Sequence, residues 1–293
     1  MGRLPHAKTV LVLAAIYTTL CVWTLHKYQL FASVLGRMTL CGLAALFVMV
    51  IMFYVARKTD RLDIVDTGWG LSFVAIAVTG LLLQNGRLLQ WDPQDLVVAM
   101  VCLWAFRLSW FIFSRWRRSE QEDVRYTDIR KKWPTKRVGL RALMSIFVLQ
   151  AFLAVLVSIP VIHITLSRDV AWSGWMLLGA VVWAKGLILE TIADQQTAQY
   201  LRQKNRPELL TTGLRKYVRH PNYLGELLVW WGFAIMALGT PHGWVGLGGA
   251  AVITYLLVFV SGIPLKEKRL SRHAGWKEYQ SKTPMLLPGF NNW

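Results

Sequence analysis

Long runs of apolar residues alternate along the chain with short polar segments that are rich in lysine and arginine. A run of about 20 apolar residues is long enough to cross the hydrocarbon core of a bilayer as a helix. The candidate spans are Thr9–Leu25, Met38–Ala56, Ile64–Leu83, Asp95–Ser114, Ala142–Leu166, Trp172–Ile192, Leu227–Leu238 and Trp244–Leu265. The seventh is short, and its exit at Gly239–Gly243 fits either a re-entrant turn or a tight hairpin. The pattern predicts an all-α, polytopic transmembrane helix bundle of about seven to eight spans.

The basic residues fall on alternate sides of these predicted spans. They concentrate in the N-terminal tail, Arg57–Asp63, Arg115–Arg141, Asp194–Arg219 and the tail from Lys266. The opposite connections hold only Lys27, Arg37, Arg87 and Arg168. Because cytoplasmic loops carry the excess of lysine and arginine, both termini are expected in the cytoplasm. We expect an integral, multi-pass protein of a bacterial inner membrane.

Composition narrows the function classes. In a soluble protein, a formal net charge of +17 would suggest a nucleic-acid partner. Here 55% of the residues are hydrophobic, and they lie in runs long enough to cross a membrane. No nucleic-acid partner is therefore expected. The cysteines Cys21, Cys41 and Cys102 all lie within apolar runs, so neither a disulfide framework nor a metal site is expected. The chain has no Walker loop and no strand-borne Gly-x-Gly-x-x-Gly, so helices and loops must hold any nucleotide.

The cytoplasmic connections have side chains suited to a phosphorylated ligand. They supply Arg115, Arg117, Arg118, Arg125, Arg130, Arg202, Lys204, Arg206, Arg215, Arg219, Lys266, Lys268 and Arg269. The planar fork of arginine donates two hydrogen bonds at once to a phosphate. The alternative is that these residues are topology signals that contact anionic membrane lipids.

The stretch Arg215–Glu226 places a dense group of polar residues against the apolar segment Leu227–Leu238. The group consists of Arg219, His220, Asn222, Tyr223 and Glu226. Ionisable residues close to the bilayer core are costly unless they bind something. The stretch therefore predicts a functional site.

Further ionisable residues lie within the predicted spans or at their ends. Glu190 and Asp194 are four residues apart, so they share one helix face. They can receive ribose hydroxyls or a guanidinium, or they can form a stabilising ion pair with Arg107 or Lys185. Asp66 is followed by Gly68 and Gly70, which permit close approach of another helix or a flat ligand; a helix-capping role for Asp66 is the alternative.

These residues carry a family resemblance. The string Arg219-His-Pro-Asn-Tyr-Leu-Gly-Glu226, followed by Trp230 and Trp231, resembles the signature of the steroid 5-alpha-reductase superfamily. The C-terminal half of that superfamily is shared with sterol reductases and, more distantly, with isoprenylcysteine carboxyl methyltransferases. Similarity to its bacterial branch extends to Asp66–Gly70, Trp104–Arg107, Ser261–Leu270 and Trp276–Tyr279. The resemblance covers residues 63–288.

The resemblance implies a single membrane domain over residues 1–293 that uses NADPH. Residues 167–293 would enclose the cofactor, residues 61–166 would form a pocket for a hydrophobic substrate from the bilayer, and residues 1–60 would add N-terminal helices. The positions implied for the cofactor are Arg107, Arg115, Glu190, Asp194, Arg202, Arg219, His220, Asn222, Tyr223, Glu226, Trp230, Glu267 and Tyr279. Asp66 and Trp104 occupy the positions that would polarise a substrate carbonyl, where the family pattern has Glu and Tyr.

The implied reaction is hydride transfer to the activated C=C bond of a steroid-like substrate, a fatty enone or a terpenoid quinone-like lipid. Asp66 could donate to the developing oxyanion only in its protonated form, which burial would favour. The alternative is an S-adenosylmethionine-dependent membrane methyltransferase, since those enzymes share the Arg-His-Pro-x-Tyr-x-Gly core. They carry a Glu-Glu pair in the tail, where this chain has Lys266-Glu267-Lys268-Arg269. Lipid transport is disfavoured because the charges cluster at one side of the membrane.

Overall fold

The computed structural model describes residues 33–85, 91–133, 138–168 and 170–287. Within those ranges the secondary structure is helical and contains no strand. The α-helices are α1 (Val34–Thr59), α2 (Val65–Asn85), α3 (Pro93–Arg118), α4 (Val124–Lys131), α5 (Val138–Ala142), α6 (Leu149–Val157), α7 (Ile159–Leu166), α8 (Gly174–Arg202), α9 (Pro221–Ala237), α10 (Gly246–Tyr255), α11 (Ile263–Leu270) and α12 (Trp276–Lys282). Short 3-10 helices cover Leu62–Ile64, Gly213–Lys216 and Gly243–Val245, and π-helical turns cover Leu143–Val148 and Leu256–Val260.

Among the residues that the structure describes, six helical segments are long and apolar enough to cross a membrane. They are Val34–Thr59, Leu62–Gln84, Pro93–Arg118, Val138–Val157, Gly174–Arg202 and Gly243–Leu270. The predicted fold class, all-α and polytopic, is confirmed. The predicted first span, Thr9–Leu25, lies outside the described residues. The predicted seventh span, Leu227–Leu238, overlaps α9, which has 17 residues, starts earlier, at Pro221, and ends at Ala237. The count of seven to eight spans stays a prediction.

The predicted span Ala142–Leu166 is not one continuous helix. It contains a π-helical turn, and it breaks at Ser158, between α6 and α7. Pro160 causes the break because it has no N–H to donate to the carbonyl of Leu156. The membrane-length segment is therefore Val138–Val157, and α7 is a separate short helix.

The described chain divides into two compact units. The first contains the described residues of 1–90 and 98–155, and the second contains those of 91–97 and 156–293. In the first unit, α2 packs along α1 and against α3. At Gly70 a β-carbon would come 2.5 Å from Oγ of Ser109 and 2.8 Å from the carbonyl oxygen of Ala105. The close approach expected at Gly70 is thus made by another helix.

In the second unit, α8 and α9 form the most extensive helix pair, and glycines let their backbones touch. A β-carbon on Gly179 would lie 2.5 Å from the carbonyl oxygen of Gly232, and one on Gly186 would lie 2.7 Å from that of Gly225. Because residue numbers rise along α8 while they fall along α9, the two helices are antiparallel. Backbones this close admit no side chain at the contact.

Replacing a contact glycine should separate this helix pair. In Gly186→Ala, the new methyl group meets backbone on α9, which cannot rotate away, so the free energy of unfolding should fall by about 1–3 kcal/mol. Gly248→Ala in α10 is the matched control, because a β-carbon there meets nothing within 4 Å. The control should be neutral or stabilising by up to about 1 kcal/mol, since alanine is the better helix former. Thermal unfolding in detergent measures both variants, and equal melting temperatures would contradict this packing.

Candidate functional site

The predicted functional stretch forms the junction between a loop and α9. His220 is the residue before the helix, and Pro221 occupies its first turn, where a missing N–H costs nothing. Asn222, Glu226 and Trp230 follow at intervals of four, so they share one helix face. Nε1 of Trp230 donates to Oε1 of Glu226 at 3.3 Å, and both side chains are buried. The helix thus presents an amide, a carboxylate and an indole along one line.

The glycine contact brings the acidic residues of α8 to this junction. Glu190 packs directly on Gly225, where a β-carbon would lie 2.7 Å from Cβ of Glu190. Glu190 and Asp194 are both buried, with 2% and 7% of their surfaces exposed. Burial lowers the pKa of Arg215, and the negative charge of Asp194 partly opposes that shift. Glu190 therefore lies beside the motif, and Asp194 is near enough to interact with the charge of Arg215; their role in cofactor binding stays a prediction.

The tail of the second unit, from Lys266 onward, is hydrogen-bonded to Arg219 and His220 at the start of the motif. Oε1 of Glu267 accepts hydrogen bonds from Nε of Arg219 at 2.8 Å and from Nε2 of His220 at 2.9 Å. Nη1 of Arg219 donates to the carbonyl oxygen of Gln280 at 3.0 Å and also to that of Thr283. The backbone N–H groups of Arg219 and His220 donate to Pro284 and Met285 at 2.9 and 3.2 Å. The tail carboxylate is therefore bound inside the protein.

His220 is a neutral ring in this arrangement. Its pKa is lowered to about 4, chiefly because complete burial penalises the charged ring, although the hydrogen bond to Glu267 opposes the shift. Because the carboxylate of Glu267 can only accept, Nε2 carries the hydrogen and Nδ1 keeps a lone pair. His220 consequently offers an acceptor atom on the side away from the tail.

Three buried polar atoms at the junction lack a hydrogen-bond partner among the described residues. They are Nδ1 of His220, Oδ1 of Asn222 and Nη1 of Arg215. Leaving a buried polar atom unsatisfied costs about 1–3 kcal/mol, so such atoms indicate where a bound group belongs. Two of them are acceptors and one is a cationic donor.

Aromatic side chains surround the same residues. The ring of Tyr223 stacks on that of His220 with centroids 5.7 Å apart, and Nζ of Lys266 lies 5.0 Å from the centroid of Tyr223. The hydroxyl of Tyr279 donates to the carbonyl oxygen of Arg215 at 2.7 Å. These contacts bring the predicted tail residue Tyr279 to the motif. Arg202, by contrast, is exposed at the last turn of α8.

The first unit contains a separate polar cluster around Asp66. Its carboxylate accepts from Nη2 of Arg125 at 2.7 Å and from the hydroxyl of Tyr126. Burial, followed by the charge of Asp66, raises the pKa of Tyr126 well above its usual value, so the phenol stays protonated. These two hydrogen bonds hold the Tyr126 hydroxyl and the Arg125 guanidinium against Asp66, whose catalytic role stays a prediction. Sequence reasoning did not predict this pairing, which joins residues 60 apart.

Asp63 holds the segment that carries Arg125 and Tyr126 beside Asp66. Its carboxylate accepts from Nη2 of Arg61 at 2.9 Å, from Nε1 of Trp116 at 3.0 Å and from the backbone N–H of Asp123 at 3.0 Å. These bonds tie the segment before α4 to the start of α2. The residues that follow Asp123 are thereby placed beside Asp66.

The remaining predicted residues of the first unit lie along α3. Trp104 is completely buried, with its ring edge-to-face on Phe73 at a centroid distance of 5.4 Å. Arg107 is half-buried in the middle of α3, and Arg115 is exposed near its end. The structure thus places Trp104 in a packed core, and its catalytic role stays a prediction.

The fold and the junction together define a polytopic helical membrane protein whose tail is fastened over a buried His–Asn–Glu motif. The chain belongs to the family described as "Protein of unknown function (DUF1295)", which matches residues 52–283. The sequence is also similar to an uncharacterized protein of Schizosaccharomyces pombe, C594.04c, with 24% identity over 262 residues, or 79% of this chain and 72% of the relative. Methanethiol S-methyltransferase 1 of Bradyrhizobium diazoefficiens is 30% identical over 126 residues, or 41% of this chain and 40% of that enzyme. No solved structure matches the chain.

Acidification should destabilise the protein through His220. The pKa of the ring is about 4 in the folded protein, against 6.5 as its ordinary value. The unfolded chain therefore takes up a proton as the pH falls through 6.5, while the folded protein does not. The stabilisation is fully present above that pH and is lost as the pH falls to about 4, a change on the order of 3 kcal/mol.

Thermal unfolding in detergent at neutral pH and near pH 5 measures this effect. His220→Gln should reduce the drop in melting temperature between the two conditions. His273→Gln replaces an exposed histidine and should leave the drop unchanged. An identical drop in wild type and His220→Gln would show that the ring does not titrate in this way.

Proposed function

We propose that this protein is a membrane-embedded NADPH-dependent reductase that reduces the activated C=C bond of a hydrophobic, steroid-like or lipid enone. One observation carries the choice of cofactor. The only acidic residue of α11, Glu267, is bound by Arg219 and His220, while its helix neighbours Lys266 and Lys268 are cationic. A tail of this charge complements an anionic dinucleotide better than the cationic amino-acid end of S-adenosylmethionine.

The residues at the junction fit the groups of such a dinucleotide. Oδ1 of Asn222 and Nδ1 of His220 are buried acceptors that suit the N–H donors of a carboxamide or the hydroxyls of a ribose. Nη1 of Arg215 is a buried donor that suits a phosphate oxygen. The buried carboxylates of Glu190 and Glu226 can accept further ribose hydroxyls. When bound, NADPH would supply a hydride.

The surrounding side chains would orient the bound group and exclude water from it. Trp230, completely buried and hydrogen-bonded to Glu226, forms an apolar wall on the same helix face as Asn222. Reduction of an enone builds negative charge on the carbonyl oxygen, and a donor must meet that charge. The resemblance assigns this polarising role to Asp66 and Trp104, and the role stays a prediction.

A methyltransferase is the second candidate, and the similarity to methanethiol S-methyltransferase 1 favours it. When bound, S-adenosylmethionine would supply a methyl group to a nucleophilic atom of the substrate. The buried carboxylates of Glu190, Asp194 and Glu226 would then face the positive charges of that cofactor. Either candidate makes the protein an enzyme with a nucleotide-derived cofactor.

Ligand-induced stabilisation of the detergent-solubilised protein separates the two candidates. A ligand at 100 times its Kd stabilises the native state by about 2.7 kcal/mol, which raises the melting temperature. NADPH should produce this rise, while NADH and S-adenosylmethionine should not. Asn222→Ala and Glu226→Ala should abolish it because each removes a proposed cofactor contact.

The matched controls are Asn205→Ala and Glu120→Ala, which truncate the same residue types at exposed positions. Both controls should retain the full rise with NADPH. A rise with S-adenosylmethionine alone, lost in Asn222→Ala and Glu226→Ala, would replace the reductase assignment by the methyltransferase. Equal behaviour of Asn222→Ala and Asn205→Ala would remove the junction from the cofactor site.

A further inference from the structure

A cavity outside the junction lies between the end of α8 and the segment that returns toward α9. Its volume is about 310 Å³. Gln196, Gln199, Tyr200 and Gln203 line it from the helix, and their spacing puts them on one helix face. The segment from Pro207 to Gly213 forms the opposite wall. We call this the glutamine cavity.

Hydrogen bonds hold both ends of the returning segment against α8. The hydroxyl of Tyr200 donates to the carbonyl oxygen of Pro207, and the backbone N–H of Leu214 donates to Oε1 of Gln196 at 3.0 Å. Gly213 makes the second contact possible, since it has a φ of +63° and a β-carbon there would lie 2.5 Å from Oε1 of Gln196. The chain between these two points stands away from the helix, so the cavity is built into the fold.

The chemistry of the lining suits a flat, neutral, hydrogen-bonding group. None of the described residues that line the glutamine cavity carries a charge. Leu209, Leu210 and Pro207 supply apolar surface, and the side chains of Gln199 and Gln203 supply amide donors and acceptors. A glutamine amide can pair with the N6 amine and N7 of adenine at the same time. A charged lipid headgroup would have no counter-charge here.

A second cavity adjoins the first and, unlike it, is lined by charged side chains. Its volume is about 420 Å³, and it shares Thr211 with the glutamine cavity. Lys216, Lys282 and Glu278 line it together with Thr283 and Tyr279, and Nζ of Lys282 is paired with Oε1 of Glu278 at 2.6 Å. We call it the lysine cavity. Lys216 and the threonine hydroxyls are suited to phosphate oxygens.

The lysine cavity lies beside the functional junction. The carbonyl oxygen of Thr283 accepts from Nη1 of Arg219, and the hydroxyl of Tyr279 donates to the carbonyl oxygen of Arg215. Both lining residues are therefore bonded to the loop that precedes α9. The lysine cavity thus adjoins the glutamine cavity on one side and the buried motif on the other, as the phosphates of a dinucleotide lie between its base and its reactive end.

We propose that the glutamine cavity binds the adenosine part of the cofactor and that the lysine cavity binds its phosphates. The assignment rests on the proposed function in one respect, namely that the ligand is a nucleotide cofactor. Adenosine occurs in both NADPH and S-adenosylmethionine, but phosphates occur only in NADPH. Of these two cofactors, only the dinucleotide would therefore occupy both cavities.

The test measures the affinities of three probes for detergent-solubilised protein. The probes are NADPH, adenosine 2′,5′-bisphosphate and reduced nicotinamide mononucleotide. Gln199→Leu combined with Gln203→Leu should weaken NADPH and the bisphosphate at least about tenfold, the scale of a lost bidentate amide–adenine pair. The mononucleotide, which lacks adenine, should bind the variant as tightly as it binds wild type.

Two further variants make the test specific. Gln195→Leu alters an exposed glutamine that does not line either cavity, so all three affinities should equal those of wild type. Lys216→Gln should weaken NADPH and the bisphosphate, while free adenosine, added here as a fourth probe without phosphates, should bind this variant and wild type equally. Because Gln199, Gln203 and Lys216 are exposed at the surface, these substitutions leave the core packing intact.

The outcomes separate this assignment from the proposed function. Unchanged bisphosphate affinity in the double glutamine variant, or no bisphosphate binding by wild type, would overturn the assignment even if NADPH binds. Bisphosphate binding that depends on Gln199 and Lys216, in a protein that does not bind NADPH, would support the assignment and end the reductase proposal. S-adenosylmethionine binding that depends on Gln199 but not on Lys216 would overturn the phosphate part.

Discussion

The contact between α8 and α9 is the constraint on which the candidate site depends. Two glycine pairs let the helix backbones touch, and the same closeness brings Glu190 onto Gly225, which lies one turn after Asn222 and directly before Glu226. A β-carbon at any of the four glycines would collide with backbone, so the spacing cannot relax by a rotamer change. Buried acidic residues beside a buried motif are costly in isolation. Helix packing therefore holds charges together that would otherwise separate, as expected for a binding site rather than a structural core.

The hydrogen bonds between the tail residue Glu267 and the motif determine the electrostatic character of that site. Glu267 would be a free carboxylate if α11 stood apart from the motif. Its hydrogen bonds with Arg219 and His220 use its acceptor capacity and also fix the tautomer of His220. The result is an acceptor atom turned toward the site and a cationic tail around it. Backbone hydrogen bonds from Arg219 and His220 also join Pro284 and Met285 to the start of α9, so the junction is assembled from distant parts of the chain.

Hydropathy and charge alternation were sufficient to predict the helices, because a bilayer imposes length and polarity directly on the sequence. The sequence contains the cause of the break before α7, Pro160. Because the residues around it are uniformly apolar, hydropathy alone predicted one continuous span there. The polar motif at the start of α9 was also predictable, since ionisable residues beside an apolar run are rare. Long-range partners were not predictable. No local pattern indicates that Asp66 selects Tyr126, or that Glu267 selects Arg219, because those choices arise from tertiary packing of segments far apart in sequence.

We propose that the bound tail carboxylate and the cationic residues around it make this membrane protein an enzyme with a dinucleotide cofactor. The family and the methyltransferase relative are compatible with an enzyme, and NADPH and S-adenosylmethionine differ most in charge. Native mass spectrometry of the detergent-solubilised protein with equimolar NADPH, NADH and S-adenosylmethionine distinguishes these cofactors. We expect the bound mass to be that of NADPH. A complex that carries S-adenosylmethionine instead would show that the reductase assignment is wrong.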